Sequence, residues 1–432
     1  MKKFFISILI IFLSCSFSQA QKMLTPEEAV SIALKNNYDI LVARTAADIA
    51  KVNNTAGNAG MLPTIGITGS DIYNINNVNQ NLSNGSQIIS SNADANTFNA
   101  GVALDWTLFD GGKMFITKKK LNEIEALGEV QFKDKVMQTM YDVTVAYFNV
   151  VKQKQQLESF NEVINYNRER VKILQASFNA GLSPKTDLLQ AQIDLNVYLE
   201  NTIDQQTVII IAKRTLNQLM NMDTDSPFNV EDSIVLNYVP DKNELVKKLF
   251  STNTSVLSYQ KQADITRLSL KEFNTLRFPV INVSAGYDFL ESRNSAVTIT
   301  SNRTYGPQLG GTITIPIYEA GNINRQIKSA RLGFQSAGYA LENIKRDVNT
   351  QLQNALTEFE NQQQLLKIER DNTALVKENL DISMQRLRLG QTTSLEVRQA
   401  QESYEDSYTR LINFEFNTKI AETKLKQLLA AL

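Results

Sequence analysis

Histidine is absent from the 432 residues, and cysteine occurs once, at Cys15. The first absence removes imidazole acid–base chemistry, Ser-His triads and most zinc sites. The second rules out an internal disulfide and a thiolate metal cluster. An excess of either charge is also lacking. The 44 Lys and Arg stand against 45 Asp and Glu, so no basic field invites nucleic acid and no acidic tract forms a tail. Beyond residue 20 no run of about 18 apolar residues occurs, so a transmembrane helix is unavailable. Any segment that crosses a bilayer must then be a strand of a closed barrel. No carboxylates cluster at catalytic spacing, so neither enzymatic chemistry nor a cofactor or metal is expected. Proline is scarce: Pro26, Pro63, Pro184, Pro227, Pro240, Pro279, Pro307 and Pro316 all fall at expected ends, linkers or strands. That leaves long stretches free for unbroken helix.

Residues 1–20 read as a secretory signal peptide. Lys2 and Lys3 supply the charge, Phe4 to Leu13 the apolar run, and Ser18-Gln19-Ala20 the cleavage site, leaving Gln21 first. Lipidation at Cys15 is the alternative, but Phe12-Leu13-Ser14 is a poor lipoprotein box.

The rest of the chain reads as two copies of one unit. Leu62-Pro63-Thr64-Ile65 recurs as Phe278-Pro279-Val280-Ile281, and Leu108-Phe109-Asp110-Gly111-Gly112 as Ile317-Tyr318-Glu319-Ala320-Gly321. Gly181 recurs as Gly390, and Gln190-Ala191-Gln192 as Gln399-Ala400-Gln401. An ordered series of matches at near-constant offset indicates duplication. Repeat 1 is expected over 21–221, with strands at 63–75 and 97–109, a long helix at 112–179 and a return helix at 184–220. A linker, 222–240, leads to repeat 2 over 241–432, with strands at 279–291 and 304–317, a long helix at 321–388 and a return helix at 393–430. Thr25 with Glu28, and Asp241 with Glu244, form the capping signatures of each copy's first helix.

The strands alternate. Phe98, Ala100, Val102, Leu104, Trp106 and Leu108 share one face, with Asn99, Gly101, Ala103, Asp105 and Thr107 on the other. Ile281, Val283, Ala285, Tyr287 and Phe289 oppose Asn282, Ser284, Gly286 and Asp288. A small or polar second face suits lipid on one side and water on the other. Half-buried strands of a soluble sandwich would alternate too; the signal peptide and the long helices favour the membrane. The segments Asn74–Asn96 and Glu291–Arg303 are expected to be polar loops.

The helices carry apolar residues at sevens: Val136, Val143, Val150, Leu157, Ile164, Val171 and Phe178 in the first, then Leu352, Phe359, Leu366, Thr373, Leu380 and Leu387 with one polar exception. This period winds helices into a left-handed coil. Nearly 70 residues at 1.5 Å each span roughly 100 Å, which calls for an elongated hairpin. Gly181 and Gly390 are expected as left-handed caps, with Ser183 capping the return helix and Pro184 in its first position.

Strand pairs feeding long coiled hairpins, twice over, resemble the TolC family of outer-membrane efflux and secretion channel proteins. The likeness covers the whole chain after the signal. The junctions Leu108–Gly112 and Pro316–Gly321, with the two turn glycines followed by Gln-Ala-Gln, carry it most specifically. It implies a membrane β-barrel fused to an all-α coiled-coil barrel. Four strands per chain would close a 12-stranded barrel in a homotrimer, with the linker in an equatorial belt. The implied role is a passive exit duct. Its partners would be outer-membrane lipid, a periplasmic adaptor and an inner-membrane pump of the RND or ABC type, in an efflux or type I secretion assembly. Asp187 and Glu396, six positions after each turn glycine, would ring the periplasmic entrance; solvated acids favoured by the helix dipole are the plainer account. Glutamines at Gln190 and Gln399 replace the family's second acid. Lys185, Arg386, Arg388 and Arg398 would pair to hold a closed mouth that opens by iris-like untwisting. The tips Gly181, Leu182, Ser183, Gly390, Gln391 and Thr392 would dock the adaptor. Phe98, Trp106, Tyr287 and Phe289 would form aromatic belts. A soluble periplasmic coiled-coil structural or adaptor protein is the competing account.

Overall fold

A computed structural model describes residues 23–296 and 299–432. The expected signal peptide and Cys15 lie outside the described residues. Two units emerge from the packing. One comprises the chain up to Arg44, Gln131–Leu257 and Lys345–Leu432; the other comprises Thr45–Val130 and Ser258–Ile344.

The first unit is built on helices. Strand β1 (Met23–Leu24) pairs in parallel with β4 (Asn229–Val230), so the segment read as linker carries an ordered bridge. Helix α1 (Pro26–Asn36) is capped by Thr25, whose hydroxyl accepts the Glu28 N–H at 3.2 Å. It breaks at Asn37, and α2 (Tyr38–Asn53) follows. The same break recurs between α5 (Lys242–Thr252) and α6 (Thr254–Thr275), at Asn253. Each asparagine does two jobs. Its carbonyl caps the next helix, accepting from Asp39 N at 2.9 Å or Val256 N at 3.1 Å. Its amide donates at 2.9 Å to the end of a return helix, at Leu219 O or Leu428 O. The sequence reading had one continuous helix at each place, because asparagine breaks a helix only when its side chain finds such partners.

Helices α3 (Lys113–Asn179) and α7 (Asn322–Arg388) both have 67 residues, and the return helices α4 (Lys185–Leu219) and α8 (Ser394–Leu428) both have 35. All six heptad positions of α7, from Leu352 to Leu387, are buried, Thr373 included. The Thr373 hydroxyl is satisfied at 2.8 Å by both Glu369 O and Ser407 Oγ. On α3 the expected stripe drifts. Val143, Val150 and Ile164 are buried, but Phe178 is exposed and Leu174 is buried instead. Strict sevens on a 3.6-residue helix rotate about 20° per heptad, which moves the buried line to neighbouring positions.

The second unit holds a four-stranded antiparallel sheet in the order β2-β3-β5-β6. The strands are β2 (Thr64–Asn81), β3 (Gln87–Asp110), β5 (Val280–Asn294) and β6 (Ser301–Thr314). Three expectations are corrected. Most of Asn74–Asn96 is paired strand rather than loop, as is much of Glu291–Arg303; the backbone ladder supplies the stability that their Asn- and Ser-rich side chains do not advertise. Strand β6 ends at Thr314, short of 317, where Pro316 has no N–H to donate. A bulge between Thr107 and Phe109 sets Phe109, and not Leu108, opposite Ile281. Below the sheet, Gly128 lets helices approach closely: a Cβ there would sit 3.3 Å from Ala47 Cα. Gly111, at φ +72°, fills the junction where a Cβ would lie 2.7 Å from Phe278 Cβ.

Candidate functional site: hairpin tips and an apolar sheet face

Both helical hairpins in the first unit turn in the same way. Gly181 (φ +72°) and Gly390 (φ +70°) sit in the left-handed region that only glycine enters without strain. Around Gly181 the Leu182 N–H reaches back to Ser177 O at 2.8 Å, and Gly181 N–H to Phe178 O at 2.9 Å. Around Gly390 the matching bonds run from Gln391 to Arg386 O and from Gly390 to Leu387 O. This pattern satisfies carbonyls that a helix end leaves unpaired.

The two return helices start differently. Thr393 caps α8, its hydroxyl accepting Glu396 N–H at 3.2 Å, and the Thr392 hydroxyl donates to the Glu396 carboxylate. In α4 the expected cap fails. Pro184 occupies the N-cap position, Lys185 is the first helical residue, and Ser183 Oγ is enclosed without a partner. Asp187 and Glu396 both fall in the first turn, Asp187 half-buried and Glu396 exposed. Leu182 stands out to solvent at the tip, 82% exposed.

Among the described residues, the four basic residues expected in gate ion pairs make no pair with Asp187 or Glu396. Arg388 pairs with Glu169 at 2.8 Å. Arg398 pairs with Glu402 at 3.1 Å and with Asp194 at 3.6 Å. Arg386 donates to Gln391 O at 3.1 Å, and Lys185 is exposed. A stronger polar cluster, missed by the sequence reading, lies a few turns back from the tips. Arg170, 1% exposed, donates to Gln401 Oε1 at 2.5 Å and to the Asp194 carboxylate. Burial pushes its guanidinium pKa down, against the opposing pull of Asp194. Among the described residues, Arg170 Nε and Gln401 Nε2 have no hydrogen-bond partner, beside a cavity of about 250 Å³.

Tyrosine–carboxylate bonds extend the lacing. Tyr198 donates to Glu405, Tyr404 to Glu162 at 2.5 Å, and Tyr166 to Asp381 at 2.8 Å. Burial first, then these bonds, raise the three phenols, Tyr166 to about 12. Strand-like or heptad patterning does not flag such residues. The available signal was polar types at core-stripe spacing: Asn167 and Arg170 sit between buried Val163 and Leu174 at steps of three and four.

In the second unit the register gathers apolar side chains from four strands onto one face. Directly opposed residues share a face. One row runs Ile67, Val102, Tyr287, Pro307; the next runs Gly69, Ala100, Phe289, Tyr305. Toward the helices come Ile65, Leu104, Ala285 and Leu309, then Trp106, Val283 and Gly311. The opposite face carries Thr68, Gly101, Asp288 and Gly306, then Gly66, Ala103, Gly286 and Gln308. Ile67 and Leu309 are 82% and 81% exposed, so the apolar face is uncovered. The four expected aromatics all lie on it, at two levels. Phe98 packs edge-on to Phe289, which stacks on Tyr305, with ring centroids 6.1 and 6.4 Å apart; Tyr287 is one row in. Trp106 lies eight residues from Phe98, its indole N–H donating to Met61 O at 3.1 Å.

A family model described as "Outer membrane efflux protein" matches residues 29–222 and 246–431. Outer membrane protein TolC of Escherichia coli (strain K12) is 22% identical over 438 residues, covering 96% of this chain and 84% of that protein. Proteases secretion protein PrtF of Dickeya chrysanthemi is 20% identical, covering 95% and 88%. Among solved structures, the Campylobacter jejuni CmeC outer membrane channel superposes with a TM-score of 0.78 at 16% identity, covering 94% of this chain and 85% of that one. VceC of Vibrio cholerae gives 0.78 at 15% identity, covering 94% and 96%. At these identities the structural likeness speaks to the fold.

Proposed function

The chain belongs to the outer membrane efflux protein family, and from that premise we propose that it works as one third of a homotrimeric channel-tunnel, a passive exit duct fed by an inner-membrane pump of the RND or ABC type through a periplasmic adaptor. Its place is the bacterial outer membrane, with an extension into the periplasm, and it is a channel rather than an enzyme. One observation carries the proposal: a four-stranded sheet with an uncovered apolar face, a polar opposite face and an unpaired edge on each of β2 and β6. Lipid tolerates no open sheet edge, so four strands must find others, and three copies supply twelve. In that arrangement the two halves, 21–221 and 241–432, act as tandem repeats, each giving one strand pair to the barrel and one hairpin to the tube.

Two uncovered helix stripes support a ring of copies. On α7, Ile368, Leu375 and Ile382 are exposed at sevens, and Leu389 just past its end continues the spacing; on α4, Leu189, Ile193, Val197, Ile203 and Ile210 are exposed. Each stripe is about 32 Å long at 1.5 Å per residue. Unlike surfaces that meet head to tail close a cyclic ring. Around the mouth the trimer would place six carboxylates, from Asp187 and Glu396, which attract cations in a confined opening. The tips at 181–183 and 390–392, where Gly181, Leu182, Gly390 and Gln391 are exposed, are the adaptor contacts. The polar lacing around Arg170 ties α8 to α3 and α4, so it holds the closed mouth and must part when the hairpins untwist. The soluble coiled-coil alternative leaves the sheet's apolar face in water, which disfavours it.

The test is purification in detergent followed by planar-bilayer recording. A trimer that conducts ions is expected. A monomer that dissolves in plain buffer and never conducts refutes the proposal.

A further inference from the structure

At the outer end of the ring cluster on the apolar face, charged side chains join the aromatics: Glu291 and Arg303 share a row with Phe98, and Arg293 lies one row further, in the row of Tyr73. Period two along β5 puts Phe289, Glu291 and Arg293 on this face, and Arg303 on β6 stands opposite Glu291. Two arginines converge on one glutamate. Arg293 donates through Nε at 3.0 Å and Nη2 at 2.8 Å to Glu291 Oε1; Arg303 Nη2 donates at 3.3 Å to Oε2. The Glu291 side chain is only 16% exposed, while those of Arg293 and Arg303 are 70% and 57% exposed. Arg303 also lies over the Phe289 ring, 5.8 Å from its centroid.

We propose that Arg293 and Arg303, braced by Glu291, bind the phosphate of an anionic lipid headgroup in the leaflet at the hairpin end of the barrel. This rests on the reading of the apolar face as the lipid-facing one. The chemistry follows from three counts. The group keeps one net positive charge after the glutamate is subtracted. Each guanidinium has five N–H donors, so most of them remain unused after the three bonds to Glu291. A planar fork recognises tetrahedral phosphate oxygens by paired bonds, which a lone surface lysine does not do. Depth supplies the ligand's source. Aromatic rings mark the interface of a membrane barrel, and charged side chains level with them or one row outward meet headgroups. Two acids share this face within one copy: Asp71 on β2, in the same row as Glu291 but two strands away from β5, roughly 10 Å at about 4.8 Å per strand, and Asp94 on the adjacent β3, one row beyond the Asn96 that stands opposite Arg293. They weaken the local field, but the arginines' bonds go to Glu291. A purely structural ion-pair cluster would instead match charge for charge and turn inward.

The experiment is native mass spectrometry on the full-length, detergent-purified protein. It is titrated with phosphatidic acid, with diacylglycerol of the same chains, and with inorganic phosphate. Wild type is expected to retain phosphatidic acid at least about tenfold over diacylglycerol. The double variant Arg293→Gln/Arg303→Gln is expected to lose most of that preference. Arg303→Lys, which keeps the charge but not the fork and disturbs folding least, is expected to lose about threefold. Equal retention by wild type and both variants overturns the site. Displacement of the lipid by inorganic phosphate at equal concentration overturns the lipid as its occupant. Channel conductance recorded on the same preparations separates the two levels. A conducting protein without phosphate preference sinks this site alone, and a protein that never conducts sinks the lipid-facing assignment beneath it.

Discussion

Replacing Arg170 by methionine should push the channel toward its open state. Methionine keeps much of the side-chain stem and removes the charge. Asp194, 11% exposed at its side chain, would lose its main partner, and Gln401 Oε1 would lose its donor. Breaking one side of a fully buried pair typically costs about 3–5 kcal/mol. Here Arg398 stays 3.6 Å from Asp194 and softens the loss, so about 2 kcal/mol is the reasonable figure. If the cluster holds the closed mouth, that loss falls on the closed state, where α8 is tied to α3 and α4. An energy of about 2 kcal/mol then shifts the open-to-closed ratio by roughly 30-fold. Single-channel recording in planar bilayers measures this ratio directly. The double variant Arg170→Met/Asp194→Leu adds a control. Removing both charges should restore helical thermal stability, read by circular dichroism, while the channel stays prone to open. An open-to-closed ratio within about threefold of wild type in Arg170→Met would refute the assignment of this cluster to closure.

Asp187→Ala with Glu396→Ala should weaken block by multivalent cations. Losing about 1.4 kcal/mol of attraction raises the half-blocking concentration roughly tenfold; unchanged block would remove both residues from the entrance. Leu182→Glu should abolish efflux in cells while the trimer persists on native gels, because Leu182 has no packing role in the chain itself; efflux at wild-type level would exclude that tip as a docking point. Glu405 predicts a pH effect. Burial raises its pKa above the ordinary 4.5, and the Tyr198 bond only partly opposes this. Its folded state therefore favours the proton, so its contribution is full below about 4.5 and is lost as pH rises through the raised value. Glu405→Gln should gain thermal stability on wild type over that same rise, and a pH-independent difference would contradict the assignment.

How much was legible from sequence depended on which force shaped each element. Burial wrote clear patterns. The α7 heptads from Leu352 to Leu387 are buried throughout, and the alternation of residues 98–106 matches the exposed sheet face. Left-handed turns announced themselves at Gly181 and Gly390, since few other residues tolerate them. Features held by polar partners were hidden. Asn37 and Asn253 break helices through bonds to residues 182 and 175 positions away. Ser183 looked like a cap, yet the proline after it took that position. Near the tips, Arg388 and Arg398 pair with Glu169, Asp194 and Glu402, partners that the sequence reading did not name. A side chain's choice among several nearby partners depends on geometry that spacing does not encode.

The order of strands in the sheet has a consequence for biogenesis. β2 with β3, and β5 with β6, are neighbours along the chain and can zip locally, but the seam between β3 and β5 joins segments about 170 residues apart. A one-residue slip at that seam would turn the apolar residues of two strands onto the polar face of the sheet. Each strand pair can form from neighbouring residues alone, whereas the β3–β5 seam requires the long intervening helices to bring its two strands into register.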